Sequence, residues 1–396
     1  MRERLHDAAL NLAAHPVAWP LARLARRVRP VIRVPGLGIV VSDASFAHDV
    51  LVRDEQFTKN GARSFASTMT ELLGPFALGN MDGEAHRLLR NKLADVVSPG
   101  RVAELLRACD TPLAMLRDDL SAGRTVDLVE WMRRLSGRLT FDMLGVAPPA
   151  GREDKAYLEL VALGERIASG FDFRRPSARR LRAARLDCDR LAEYAQIGFD
   201  SPAAPEKSFV RRLRDQGLSF EEARGVISLI FLAGTLTTAS ALPRIVALLI
   251  DGHHIDRLRE HPEMRASAIA EGLRYTTPVG ATIRIARAAV ELGGHRILAG
   301  ERIIILTCNL ARDKALFPEP DSFDPARVQP PHARNLWFGA GPHFCLGFAV
   351  AQRELAIVLD ALLSGQGELQ IVRRRAAHRV IIPAYARLDV RSSRPG

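Results

Sequence analysis

Cysteine is scarce. The 396 residues hold four, at Cys109, Cys188, Cys308 and Cys345, far apart and without a Cys-x-x-Cys pair. That spacing excludes a disulfide scaffold and a zinc ribbon, and it suits a reducing compartment such as the cytoplasm. Neither the length nor the cysteine spacing provides a flavin or iron–sulfur domain. No H-E-x-x-H, Walker A or G-x-S-x-G motif occurs, and Gly36-Leu37-Gly38 lacks the third glycine of a dinucleotide-binding loop. Internal repeats and low-complexity tracts are missing too. The opening decapeptide MRERLHDAAL mixes charges of both signs before any apolar run, so no cleaved signal peptide is expected.

What is present is an ordinary globular balance, 47% hydrophobic and 26% charged residues, enough to bury a large core. Lysine is rare, so arginine dominates the 56 basic residues and the net charge of +11. Such an excess can serve an acidic partner, nucleic acid or an anionic membrane; the plainer reading is a solvated, alkaline surface. The densest cluster, Arg174 to Arg190, sets Arg175, Arg179 and Arg182 on one helical face, but no nucleic-acid motif accompanies it. Residues 226–243 carry no charge and just reach membrane-spanning length. Pro243, Arg244 and the threonines within it favour a helix buried all round in a large protein.

Helical patterning runs from about Met81 to Ala270, broken at Ser98-Pro99-Gly100, Pro148-Pro149 and Ser201–Pro205. Strand-like islands lie at Val31–Val41, at Ile283–Val290 and Arg296–Leu306 joined through Gly293-Gly294, and at Leu369–Val390. Strands at both ends and helices between them predict one interleaved α+β unit. Residues 1–30 read as an N-terminal extension.

The most informative segment is Phe338–Gly347, FGAGPHFCLG. Its glycines permit positive φ and close backbone approach, so the loop can press against something flat. The single cysteine precedes an apolar run rich in helix formers, where unpaired N–H groups and the helix dipole favour a thiolate. Such a thiolate serves as a nucleophile or as an axial metal ligand. The ordinary reading of a lone cysteine, a small buried hydrophobe, is kept for Cys109, Cys188 and Cys308.

The pattern F-x-x-G-x-x-x-C-x-G, here Phe338, Gly341, Cys345 and Gly347, resembles the haem-binding loop of the cytochrome P450 family. Three further segments agree in order and spacing. Glu271-Gly-Leu-Arg274 is similar to the family's E-x-x-R helix, and Pro320, Phe323, Pro325 and Arg327 match its P-x-x-F-x-P-x-R segment. In Asp82-Gly-Glu-Ala-His86-Arg-Leu-Leu-Arg90, His86 and Arg90 project from one face. Ala233-Gly234-Thr-Leu-Thr237-Thr238 resembles the segment that passes over the iron. The likeness runs from about Val31 to the C-terminus. It implies a mainly α (α+β) fold, a large helical portion with a long central helix beside a smaller β-rich portion. Residues 1–396 then form a single domain, β-rich at about 31–60 and 278–310 with 369–390, and helical at about 81–277 and 345–364.

The resemblance also implies roles. Cys345 is the iron ligand of haem b (iron protoporphyrin IX), and its electron donation favours O–O cleavage. His86, Arg90, Arg284 and His343 hold the haem carboxylates, because an apolar pocket needs cationic donors around two anions. Glu271, Arg274 and Arg327 brace the loop. Ala233 and Gly234 open the long helix where dioxygen binds, and Thr237, able to bond back to the Ala233 carbonyl, relays protons. The sequence departs from the family at position 236, where leucine replaces the usual acid, so protons must come from water, another side chain or a substrate hydroxyl. Replacing Leu236 with glutamate is expected to raise the coupling of reductant use to product.

The implied activity is a soluble, monomeric haem-thiolate monooxygenase of the bacterial type, suited to secondary metabolism. It inserts one atom of dioxygen into a hydrophobic small molecule by hydroxylation or epoxidation. Electrons come from a separate ferredoxin and ferredoxin reductase, with an acidic ferredoxin docking near Arg87, Lys92 and the Cys345 loop at a rate that falls with salt. No nucleic-acid partner and no membrane span are expected. Apolar pocket candidates are Phe65, Met69, Phe76, Phe231, Val279 and Ile283. Three readings compete: a peroxide-using or electron-independent haem-thiolate enzyme, a non-catalytic haem-thiolate sensor or carrier, and a basic nucleic-acid-binding protein without haem.

Overall fold

The computed structural model describes residues 2–393 except 62–63, 95–96, 172–176, 203, 207, 332 and 334, and the side chain of Phe65. Its organising element is the helix Phe220–Asp251, 32 residues long. Ser219 caps it: the hydroxyl accepts from the Glu222 N–H while the Glu222 carboxylate accepts from the Ser219 N–H, a reciprocal capping box that satisfies two end donors. This helix contains the uncharged stretch 226–243. It is the one described helix long and apolar enough to cross a bilayer, yet other elements surround it. Leu242, Ile245, Val246 and Leu249 join a core with helices Leu128–Leu144, Arg265–Thr276 and Phe348–Leu363. Arg244 is buried on Asp7 at 2.7 Å.

Among the described residues, ten strands form the β portion: β1 (Val31–Val34), β2 (Gly38–Val41), β3 (Phe57–Thr58), β4 (Val126–Asp127), β5 (Thr282–Ala286), β6 (Val290–Leu292), β7 (His295–Ile297), β8 (Arg302–Ile305), β9 (Leu369–Ala376) and β10 (Tyr385–Ser392). The main sheet runs β1-β2-β8-β5-β3, a second β4-β10-β9, and β6 pairs with β7. Ile39, Val41, Ile303 and Ile305 point to one buried face, where they meet Ala47, Val50 and Leu51 of the helix Ala44–Val52, as period-two alternation requires.

Three sequence expectations need correction. The strands expected at 283–290 and 296–306 form two nested hairpins. Gly300 at φ 80° turns the chain and donates to Ala286, so β5 pairs with β8 while Gly293-Gly294 turns only β6 into β7. Residues 1–30 are two helices, Arg2–Ala14 and Ala18–Val28. Strands β3 and β4 are additions, since two residues carry no periodicity. Of the arginine cluster, Arg179 and Arg182 are exposed on the helix Ala178–Asp200, and Arg175 lies outside the described residues.

Candidate functional site

Local backbone chemistry shapes the Cys345 loop. Gly339 and Gly341 adopt φ 86° and 63°, the left-handed region that favours glycine. The chain therefore doubles back, and the Cys345 N–H donates to the Phe338 carbonyl at 3.0 Å. A Cβ on Gly341 would stand 2.9 Å from Val52 Cα, so no side chain fits between the loop and the helix Ala44–Val52. Phe338 stacks edge-on against Phe348 at 5.0 Å, with Phe344 beside them. Gly347 is the N-cap of the helix Phe348–Leu363, and its N–H lowers the Cys345 thiol pKa. Burial is the larger effect and pushes the thiol up. The thiolate favoured by the helix end thus needs a further positive charge at sulfur, as a metal ion supplies.

A cationic cluster shares the cavity with this cysteine. Lys59, His86, Arg90 and His343 line it beside Cys345, and Arg284 on β5 is buried nearby. Arg90 donates to the Phe344 carbonyl at 2.6 Å, and Arg284 finds only the Ile283 carbonyl and the Thr282 hydroxyl. The rings of His86 and His343 lie 4.2 Å apart. One carboxylate serves the whole group. Asp82 accepts from Thr58, from the Lys59 and Asn60 backbone N–H groups and from His343 at 3.2 Å, bonds that hold it at about 2 despite burial. Desolvation, reinforced by neighbouring cations, pushes His86 to about 4 and Lys59 to about 7. Desolvation takes Arg284 to about 10 against the pull of Asp82, and desolvation with the charges of Lys59 and Arg284 takes His343 to about 4 against the same pull.

Facing them is the long helix. Ala233, Gly234, Thr235, Thr237 and Thr238 all border the same cavity of about 310 Å³. The Thr237 hydroxyl donates to the Ala233 carbonyl at 2.6 Å, and Thr238 does the same to Gly234 at 2.9 Å. Thr235 bonds back to Phe231. Leu236 faces the other way, packed with the apolar cluster that includes Phe141, Leu163 and Phe231. A glutamate there would enter apolar surroundings, which weakens the expectation that it would restore proton delivery.

Away from the cavity, Glu271 and Arg274 are fully buried and doubly bonded, at 2.6 and 2.8 Å. Arg327 adds a bond to Glu271 at 3.1 Å, the Asp324 N–H another at 3.0 Å. Arg274 spends its remaining donors on the carbonyls of Ala311, Pro320 and Ser322.

Of the apolar pocket candidates, the cavity gathers Phe231 alone. Met69 and Phe76 pack into neighbouring clusters, Val279 is largely exposed, and Ile283 pairs with Ile304 in the sheet. Phe65 has no described side chain. The walls instead include Leu78, Leu139, Met143, Leu229 and Ile230, which alternate with core residues and carry no motif. Lys59 and Glu354 are among the polar lining residues that escape sequence reading, with Arg101, Ser136, Thr140 and Arg212. Lys59 follows the two-residue β3. Glu354, in the helix after Cys345, is the one acid among the described cavity-lining residues. It is buried with one carboxylate oxygen unpartnered, and desolvation, opposed only by a Thr238 hydrogen bond, lifts its pKa to about 7. The other three cysteines behave as small hydrophobes: burial pushes Cys109 and Cys188 to about 12 and Cys308 to about 11.

The family model for cytochrome P450 matches residues 206–365, which hold the long helix, the Glu271–Arg274 pair and the cysteine loop together. A putative cytochrome P450 126 of Mycobacterium tuberculosis is 28% identical across 93% of this chain and 88% of its own length. The chain belongs to the cytochrome P450 family. A further relative of this P450 is the 20-oxo-5-O-mycaminosyltylactone 23-monooxygenase of Streptomyces fradiae, 31% identical over 72% of this chain and 66% of that enzyme. Among solved structures, CalO2 superimposes with a TM-score of 0.82 at 24% identity, covering 98% of both chains, and shares the P450 fold. This P450 is accordingly an oxidoreductase of the monooxygenase type, with a haem-thiolate cofactor and redox partners. Its residues fit such a group: a cysteine faces an apolar cavity, and Lys59, Arg90 and Arg284 stand against the single carboxylate of Asp82, an excess that a dicarboxylate would balance.

Proposed function

We propose that this P450 binds haem b through Cys345 and inserts one atom of dioxygen into a hydrophobic small molecule, by hydroxylation or epoxidation. The observation that carries the reading is the shared cavity, which sets Cys345 and the cationic cluster against Ala233, Gly234 and Thr237. A haem held there would supply the activation of dioxygen. Arg90, Arg284, His86 and His343 would anchor its carboxylates, His86 as a neutral N–H donor at pH 7 and His343 only on gaining a second proton, since its neutral N–H is given to Asp82. Glu271, Arg274 and Arg327 fix the segment that leads into the loop. Gly234 leaves space beside the helix, since a Cβ there would meet nothing within 4 Å. With its proton committed to Ala233, the Thr237 hydroxyl accepts from water and holds it in place.

Leu236 faces away, and Glu354 is the one acid among the described cavity-lining residues. It keeps a proton into the neutral range and borders the cavity, where it can give that proton to water. The apolar walls orient an unactivated C–H or C=C bond, and the 20-oxo-5-O-mycaminosyltylactone in the name of the Streptomyces fradiae relative supports a bulky substrate from secondary metabolism. Arg87 and Lys92 stand exposed on the helix Gly83–Ala94, which supports docking of an acidic ferredoxin supplied by its reductase in the cytoplasm.

Reduction under carbon monoxide tests the reading. The haem-loaded protein is expected to give the absorption band of a thiolate-ligated haem, and Cys345→Ala to lose it completely. A colourless protein, or a band that survives the substitution, rejects it. Turnover with peroxide but not with ferredoxin and NAD(P)H would instead favour the electron-independent reading raised by Leu236.

A further inference from the structure

The two N-terminal helices carry their leucines on the outside. In the helix Ala18–Val28 and the residue before it, Val17, Leu21, Leu24 and Val28 recur at helical spacing and form one stripe. They are 70, 60, 57 and 57% exposed, and the helix buries no residue at all. Its inward side is made of Ala22, Ala25 and Arg26. Arg26 reaches the Arg312 carbonyl at 3.1 Å and Asp321 at 2.8 Å, while the Ala22 carbonyl accepts from Asn309. An amphipathic helix turned this way shows water the face that should be covered.

The preceding helix repeats the arrangement. Arg2–Ala14 docks on the body through Asp7, Leu10, Asn11 and Ala14, with Asp7 locked on buried Arg244. Leu5 and Leu12, seven residues apart, are 64 and 46% exposed, and Ala8 and Ala9 lie open between them.

Charge selects the occupant. Residues 1–34 contain seven arginines and two acidic residues, so nearly half of the chain's net charge of +11 lies in less than a tenth of its length. The helix Ala18–Val28 has no acid, and Arg27 and Arg29 flank its stripe exposed. A second copy docked about a two-fold axis would set these arginines against their counterparts, at a cost. An anionic bilayer takes both parts: leucines enter at the headgroup level, and arginines extend sideways to phosphates.

We propose that the outward faces of Arg2–Ala14 and Ala18–Val28 dock this P450 on the surface of an anionic membrane, without spanning it. The stripe and the arginines act together, because a few buried leucines or a few surface charges alone give weak, reversible binding.

Co-sedimentation of the full-length, haem-loaded protein with sucrose-filled vesicles tests this. Protein is expected to pellet with phosphatidylcholine–phosphatidylglycerol vesicles, and not with pure phosphatidylcholine, with binding weakened by salt. Leu21→Ser with Leu24→Ser is expected to cut the bound fraction about tenfold, and Arg27→Ser with Arg29→Ser to remove the preference for the anionic lipid. Both pairs point outward, so an unchanged urea midpoint shows that the fold persists. No pelleting on anionic vesicles at low salt overturns the proposal, as does binding indifferent to the leucine pair. It also fails if that pair instead abolishes a dimer in solution or slows reduction by ferredoxin. The vesicle readout does not depend on the haem-thiolate reading, so either can fail alone.

Discussion

Two of the buried charge clusters described above differ in one respect. Around Glu271 every donor is answered: Arg274 and Arg327 share the one carboxylate, and their spare guanidinium donors end on backbone carbonyls. Around Asp82 the cations outnumber the acceptors they meet. Lys59 has no carboxylate of its own, and Arg284 makes do with a neighbouring carbonyl and a hydroxyl. A closed cluster is a strut, complete when the chain folds. An open one is a receptor, because its desolvation cost is recovered only when an anion arrives.

Breaking the closed cluster has the largest expected effect. Glu271→Gln leaves Arg274 buried and uncompensated, and stability should fall by about 3–5 kcal/mol, read from the urea midpoint. If the midpoint holds, the strut is not structural.

Glu354 sharpens the comparison from the cavity wall. Its folded pKa of about 7 lies above the ordinary 4.5, so the proton is held more tightly in the folded state. Its contribution to folding stability therefore declines as pH rises from 4.5 to 7, by about 3 kcal/mol in all, opposite in sign to the contributions of His86 and His343. Glu354→Gln should remove that contribution, and urea titrations across that range in the cofactor-free chain check it. Parallel pH profiles of the two proteins would place the carboxyl in water.

The smallest effect belongs to the open cluster itself. Replacing Lys59 with methionine removes one cation and should speed haem transfer to an excess of apomyoglobin about tenfold, the worth of one charge-assisted bond. The fold and the Glu271 cluster should stay untouched. An unchanged transfer rate would remove Lys59 from the receptor.

Legibility in the sequence follows the same division. Cys345, Glu271 and Arg274 sit in motifs whose spacing is fixed by a tight turn or a helix face, and the structure places them as that spacing requires. Lys59 and Glu354 act through burial. A lysine after a two-residue strand and a glutamate in an apolar helix look like ordinary surface residues until the chain closes over them. The pocket walls are illegible for a related reason: Leu229 and Ile230 line the cavity, whereas Met69 and Phe76 fill the core, and apolarity alone does not tell a wall from a filling. The N-terminal helices read as an extension because their leucine stripes face water, a placement that helical periodicity does not reveal.

Gly341 leaves nothing but backbone between the cysteine loop and the end of the helix Ala44–Val52. The sulfur therefore takes its height from a neighbour that lines no part of the cavity. That helix rests on the main sheet, whose strands β2 and β8 supply the isoleucines and valine beneath it. Whatever tilts the sheet also sets how far the sulfur reaches.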